Sequence, residues 1–385
     1  MTDLLELEKK LIGFDTTSVK SNMELVDFLV ETLKSQQAEV EVMTSPEGGK
    51  ANVLATFGPR DMSGLMLAGH MDTVPVEGQK WNYDPFALTA AEGRFYGRGT
   101  ADMKCFIGQC IVAMDAFAHK KLNLPVHLAF TYDEEINCNG ADHLIEHLQQ
   151  HNRVMPKCAV IGEPTNFEVF RVHKGIAAAR VRVSGVEGHS SKPVKGANAI
   201  YPAAKVIEKL MEVEAELRQK TSQTDLFEVP YTTLSVGMVQ GGTAFNIIPN
   251  QCEVSFEYRT MPGEDDSYVM NQVQGYIQEI LLPEFQKLQP GVDISMETVM
   301  RRQPLNTPVG TEIETIALEL AGKASSGSAP YYTEGAIYSD AGIPTVICGP
   351  GDIDQAHRPN EFITQEQMEK GPTLLAKLVE RVCLG

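Results

Sequence analysis

The chain has 385 residues, 43% of them apolar and 7% aromatic, and a formal charge of −18. That length suggests more than one domain of a soluble globular protein, and the charge argues against nucleic acid or an anionic membrane as partner. No apolar run approaches the ~20 residues a bilayer span needs.

The opening Met1-Thr2-Asp3-Leu4-Leu5-Glu6 lacks the basic-then-apolar order of a secretory signal. The seven cysteines are scattered, without a Cys-x-x-Cys. This argues against a disulfide framework and for a reducing, cytoplasmic setting. Residues 2–12 and 23–34 carry helical spacing, with Leu25, Val26, Leu29, Val30 and Leu33 on one face. Val40 and Val42 alternate like an edge strand, and Asn52–Phe57 reads as another strand. Leu65-Met66-Leu67-Ala68 is a short apolar run that reads as a buried strand, ended by Gly69. His70 and Asp72 follow where such a strand leaves its sheet, two apart and thus on one side of an extended segment. A glycine-broken stretch, Tyr96 to Lys104, leads into a helix from Cys105 to Phe117, on which Cys105 and Cys110 read as packing residues. Pro125–Tyr132 reads as a strand ending in Asp133-Glu134-Glu135, residues 140–150 as a helix, and Cys158–Ile161 as a strand ending in Gly162-Glu163-Pro164. Strands alternating with helices imply a mainly parallel sheet with helices on both faces, whose ligands bind beyond the carboxyl ends of the strands.

After His173-Lys174-Gly175 the pattern changes. Ala177–Val183 alternates, a helix spans Ala197 to Lys220, and strands follow at Tyr231–Val239 and Gln251–Thr260. A second helix covers Asp266 to Leu288, then a strand Val292–Met300. This fits an inserted α+β two-layer sandwich over residues 177–301. The α/β style resumes with a helix at Thr311–Ala321, a strand at Thr345–Cys348 and a final helix at Gln365–Val382. Residues 1–176 and 302–385 are therefore expected to form one catalytic domain, with hinges near Gly175 and Met300–Pro304.

The strand ends carry the chemistry. Alone, Asp102 reads as an N-cap, Glu163 as a turn residue, and His357, in the loop after Gly349-Pro350-Gly351, as a structural histidine. Asp133-Glu134-Glu135 reads either as a solvated acidic turn or as carboxylates that repel unless a cation sits among them. Jointly, two histidines and several carboxylates suit zinc, cobalt or manganese. Two such ions sharing a bridging carboxylate can hold a hydroxide and polarise a carbonyl, with a nearby unligated Glu moving the proton. No Gly-x-Ser-x-Gly is present, so a serine nucleophile is not supported.

Gly69-His70-Met71-Asp72-Thr73-Val74-Pro75, Gly99-Thr100-Ala101-Asp102-Met103-Lys104, Asp133-Glu134-Glu135, Ile161-Gly162-Glu163-Pro164-Thr165 and Gly188-His189-Ser190-Ser191 resemble, in order and spacing along nearly the whole chain, the di-zinc M20 aminoacylase/carboxypeptidase family. The resemblance implies a zinc-exopeptidase-like catalytic domain. It implies that His70 and Glu163 hold one divalent ion and Glu135 and His357 the other, with Asp102 bridging and the peptide after it cis. Zinc is expected, with cobalt or manganese as options. Glu134 is then the general base and Asp72 the orienter of His70. His189, from the inserted domain, would stabilise the oxyanion, in cis or across a homodimer built through that domain. Arg259 and Asn246 would hold the substrate α-carboxylate and the intermediate; Lys174 matches a position without an assigned role. Through Phe227 to Leu234, Tyr332-Thr333-Glu334 and the loop from Gly349 to His357 the resemblance further implies hydrolysis of N2-acetyl-L-ornithine to ornithine and acetate, in arginine biosynthesis. Desuccinylation of succinyl-diaminopimelate, or a broader N-acyl amino acid hydrolysis, is the alternative; a silent metal-bound binding protein is a more distant one. Glu334 is further expected to read the substrate's side-chain ammonium.

Overall fold

Four apolar segments lie side by side as the parallel centre of a nine-stranded sheet: Val126–Thr131, Leu65–His70, Cys158–Pro164 and Thr345–Gly349, in that order. They are seen in a computed structural model that describes residues 2–118, 120–220 and 226–384. Antiparallel strands extend the sheet, Ala51–Phe57 and Glu39–Thr44 on one side and Phe170–His173 on the other. Every residue of Leu65–His70 and Val126–Thr131 is buried. Continuous burial of this kind follows from covering both faces of a sheet, which is why these runs are apolar throughout rather than alternating.

The covering helices include Leu4–Gly13, Met23–Ser35, Lys104–Met114 and Gln365–Val379, whose apolar faces join one core with the strands. Leu11, Leu25, Leu29 and Ile107 lie in that core without solvent exposure. Lys104–Met114 is buried on nearly every side, so its sequence lacks the clear stripe of a surface helix. Gln365–Val379 starts with a reciprocal capping box between Thr364 and Gln367. None of the helices among the described residues is long and apolar enough to cross a membrane.

The chain divides into two compact units, Met1–Val172 with Leu305–Ala329 and Thr333–Gly385, and His173–Pro304 with Pro330–Tyr332. The second is a four-stranded antiparallel sheet of Thr233–Gly241, Gln251–Arg259, Ile176–Ser184 and Asp293–Arg302, in that order. Burial alternates along Gln251–Arg259 and Ile176–Ser184. The inward residues Val181, Val183, Val254 and Phe256 share a core with Val206, Leu210 and Val213 of the helix Ile200–Gln219 and with Val273 and Ile277 beyond it. Period-two burial against helices makes this a two-layer sandwich.

A small sheet of Thr89–Ala91, Arg94–Tyr96 and Phe362–Thr364 has no counterpart in the sequence reading. Strands of three residues are too short to show a period. Its pairing nevertheless brings the segment after His357 beside the segment before Asp102.

Candidate metal centre

The proposed ligands sit just past the carboxyl ends of the parallel strands. His70 ends its strand and Glu163 lies near the end of Cys158–Pro164. Glu134 and Glu135 turn out of Val126–Thr131, and His357 follows Thr345–Gly349. Asp102 lies in the loop before Lys104–Met114; the cap position of that helix is Met103, without a side-chain cap bond. The carboxylate of Asp102 is thereby free for another use, and the Asp102–Met103 peptide is cis.

Asp102 is shared by two imidazoles. Its Oδ1 lies 2.9 Å from Nε2 of His70 and its Oδ2 lies 3.3 Å from Nε2 of His357. Glu163 Oε1 stands 3.8 Å from Nε2 of His70, and Glu135 Oε2 stands 3.0 Å from Nε2 of His357. Among the described residues, two groups of potential ligands result, His70 with Glu134 and Glu163, and His70 with Asp102 and Glu135. His70, Asp102 and Glu163 are buried, whereas the His357 side chain is 54% exposed.

Nδ1 of His70 lies 2.9 Å from the backbone carbonyl of Asp72, while the Asp72 carboxylate is farther, at 3.5 Å. A carbonyl only accepts, so Nδ1 carries a proton and Nε2 is the nitrogen turned to the carboxylates, where it donates a second proton to Asp102 in the metal-free protein and would offer its lone pair to a cation. The orienting contact to His70 thus comes chiefly from the Asp72 main chain. The Asp72 side chain instead accepts the backbone N–H groups of Glu134 at 3.1 Å and Glu135 at 3.2 Å, and the Ser18 hydroxyl at 2.7 Å. Asp133 is different: it pairs with Lys50, and its carbonyl accepts the N–H of Asn137 and of Cys138 to close the turn.

The electrostatics follow from packing these charges together. Burial pushes Glu134 and Glu163 well above the ordinary carboxylate range, and the neighbouring acids add to it. Glu135 is pushed up to about 7 by burial and by Asp102. Burial opposes ionisation of Asp102 as well, but His357 and His70 hold it below its usual value. His357 rises to about 10 because Asp102 and Glu135 favour its cation. Burial disfavours the His70 cation too, yet Asp102 and Asp72 raise it well above a free imidazole. Cationic charge is what this cluster lacks, and protons on the imidazoles partly supply it. The donor set of nitrogens and carboxylate oxygens, one carboxylate facing both histidines, fits a pair of divalent cations.

Glu334 lies in the same unit but is 1% exposed. It accepts from the Thr131 hydroxyl at 2.6 Å and the Tyr338 hydroxyl at 3.1 Å, one on each oxygen. Burial pushes it up to about 7. In this arrangement the carboxyl expected to meet a substrate ammonium is enclosed, and each of its oxygens accepts one hydroxyl.

The remaining residues belong to the second unit. Nδ1 of His189 accepts the Ser191 backbone N–H at 3.1 Å, which leaves its proton on Nε2 as a donor. His189 pairs with Ile247, and Ser190 N–H donates to the Asn246 carbonyl at 3.0 Å, so the structure brings His189 and Asn246 together. Arg259 lies apart from them. It ends Gln251–Arg259, opposite Thr233, and its Nε donates to Glu257 at 3.3 Å. Eight residue steps separate it from Gln251, roughly 27 Å of strand. Lys174 donates to the Tyr231 carbonyl at 2.7 Å and lies 5.8 Å from the Phe227 ring. The sequence reading missed Ser18, Gln79, Arg98 and Glu361, whose contacts to the ligand loops span large gaps in the chain.

The profile of peptidase family M20/M25/M40 matches residues 66–381. An acetylornithine deacetylase of Pasteurella multocida is 36% identical over 375 residues, covering 95% of this chain and 93% of the relative. Among solved structures, an M20 family metallo-carboxypeptidase from Sulfolobus solfataricus superposes with a TM-score of 0.76 at 18% identity, covering 99% of both chains. A dinuclear metal binding peptidase of the same family from Bacillus subtilis superposes with a TM-score of 0.67 at 17% identity, covering 98% of this chain and 96% of the other.

Proposed function

The chain belongs to the M20/M25/M40 peptidase family and is a hydrolase, and from that premise we propose that it cleaves N2-acetyl-L-ornithine to ornithine and acetate, with two divalent cations, zinc foremost, at the centre described above. The observation that carries this reading is Asp102 straddled by His70 and His357, with Glu163 and Glu135 flanking them. The substrate assignment rests on the deacetylase relatives, 36% identical in the case of Pasteurella multocida.

In this reading His70 and Glu163 would hold one cation and Glu135 and His357 the other, with Asp102 available to both. When bound, the pair supplies Lewis-acid activation of water and of the amide carbonyl. Glu134, whose carboxyl is already raised by its setting, takes the proton of the attacking water and delivers it to the leaving amine. A base with a raised pKa holds that proton well enough to return it. Asp72 fixes Glu134 through the backbone. His189 donates from Nε2 to the developing oxyanion, Asn246 beside it contacts the intermediate, and Arg259 pairs with the substrate α-carboxylate. His189 and Asn246 sit in the loops that follow Ser184 and precede Gln251, at one end of the four-stranded sheet, while Arg259 ends the Gln251 strand roughly 27 Å further on. We therefore assign His189 and Asn246 to one copy and Arg259 to another, in a homodimer formed through the second unit.

The test is a panel of acetyl and succinyl amino acids, assayed after metal is stripped and restored as zinc or cobalt. Acetylornithine is expected to be hydrolysed best, with no turnover by the stripped protein. Preference for succinyl-diaminopimelate, or full activity without metal, would overturn the proposal.

A further inference from the structure

Two buried side chains, Glu361 and Arg98, run behind the candidate ligand loops and lead to Gln79 and Trp81, which are half-buried. Glu361 and Arg98 are each 1% exposed. Oε1 of Glu361 accepts three consecutive-loop backbone donors, Gly99 at 3.1 Å, Ala101 at 2.8 Å and Asp102 itself at 3.0 Å. Its Oε2 accepts Nη1 of Arg98 at 2.5 Å. Arg98 continues the chain of contacts: Nη2 donates to Oε1 of Gln79 at 2.9 Å, and its guanidinium lies 5.1 Å from the Trp81 ring. Gln79 Oε1 also accepts the Trp81 indole N–H at 3.0 Å, and Gln79 Nε2 donates to the backbone carbonyl of His357 at 2.9 Å. The Gly97 N–H to Glu361 carbonyl bond, 3.0 Å, and the Phe362–Tyr96 pairing tie the same two loops together.

The set begins at the main chain of Asp102 and ends at the main chain of His357, two residues whose side chains lie 3.3 Å apart on the other side. We infer that Glu361, Arg98 and Gln79 are positioning residues that fix the separation of the Asp102 and His357 loops, and with it the second of the two cation positions. This rests on the ligand assignment proposed above. The physical case is that bonds to charged partners in a buried setting are the strong ones, as Glu361 makes to Arg98 and to the Asp102 loop, and that Gln79 passes this anchoring on to the His357 main chain through a neutral, exposed bond. Three N–H groups converging on one oxygen also leave the Asp102 backbone little freedom to rotate its carboxylate away from either histidine. Gln79 restrains only the His357 side, whereas Glu361 restrains the bridging residue that both cations share. Their loss should therefore act differently. Outer contacts of this kind typically alter metal affinity by 10–100-fold.

The experiment is a Co(II) titration of metal-free protein, followed by the cobalt visible spectrum and by calorimetry, for wild type, Gln79→Met and Glu361→Gln, with the melting temperature of each metal-free protein alongside. Gln79→Met is expected to weaken one of two binding steps by about 10-fold or more, to leave the other step near wild type, and to melt close to wild type without metal. Glu361→Gln is expected to weaken both steps. His357→Ala is the control for the ligand assignment: it should abolish one step. If wild type binds two ions and His357→Ala only one, while Gln79→Met binds both with wild-type affinities, the positioning role is refuted and the ligand assignment survives. If wild type does not bind two ions, or His357→Ala still does, the ligand assignment itself fails. If Gln79→Met and Glu361→Gln lower both steps equally and in proportion to their melting temperatures, the residues stabilise the fold only and the inference is overturned.

Discussion

Asp72 Oδ1 accepts the backbone N–H of Glu134 at 3.1 Å. The carboxylate that sequence reasoning gave to His70 thus serves mainly the turn bearing the base, while its own main-chain carbonyl serves the histidine. In Asp72→Asn, one acceptor becomes an NH2 group facing a backbone N–H, which costs that bond. We expect kcat to fall by about 10–100-fold with KM and bound metal little changed, as read from steady-state kinetics and metal analysis of one preparation.

Glu134 is assigned proton transfer and no share in holding metal. Glu134→Ala is expected to lower hydrolysis by about 10²–10⁴-fold, the usual worth of a general base. Two metal equivalents should remain by elemental analysis. A Glu134→Ala protein with wild-type turnover would remove the assigned mechanism.

Protons and metal compete for the same atoms. Without metal, His357 titrates at about 10 and Glu135 at about 7. Below those values the sites carry protons that a cation must expel, so affinity falls as pH falls. Calorimetric titration at pH 6 and pH 8, in buffers of different ionisation enthalpy, should show tighter binding at pH 8 and net proton release at both. Binding that is independent of pH would contradict the placement of His357 and Glu135 at the metal.

Glu334 is enclosed, and its oxygens are taken by Thr131 and Tyr338. Glu334→Gln should therefore leave the ratio of acetylornithine to acetylmethionine turnover within a few-fold of wild type. A collapse of that ratio would return Glu334 to direct contact with the substrate side chain.

The assignment of His189 to a second copy predicts complementation. Glu134→Ala and His189→Ala proteins should each be nearly inactive. Co-expressed at equal levels, they should recover about a quarter of wild-type activity, since half the dimers are mixed and each mixed dimer holds one intact site. Failure to recover activity in verified mixed dimers would place His189 in cis.

Much of this was written in the chain itself. The continuous apolar runs of the four parallel strands, the alternation in Gln251–Arg259 and the helical stripe from Leu25 to Leu33 are consequences of local period. Each can be read without knowing its neighbours. The candidate ligand types were equally legible, because His70, Glu135, Glu163 and His357 follow such runs and Asp102 stands just before a helix. What local pattern cannot carry is contact between distant segments. Only tertiary packing showed that Asp102 serves two histidines rather than capping its helix, that Asp133 belongs to Lys50 and not to the cluster, and that Glu334 is sealed between two hydroxyls. Glu361 lies 259 positions from the Asp102 backbone it holds. No periodicity spans that interval, and the pairing that joins the two segments rests on strands of three residues. The sequence determined which groups are available at the strand ends, and the folded chain alone decided which of them meet.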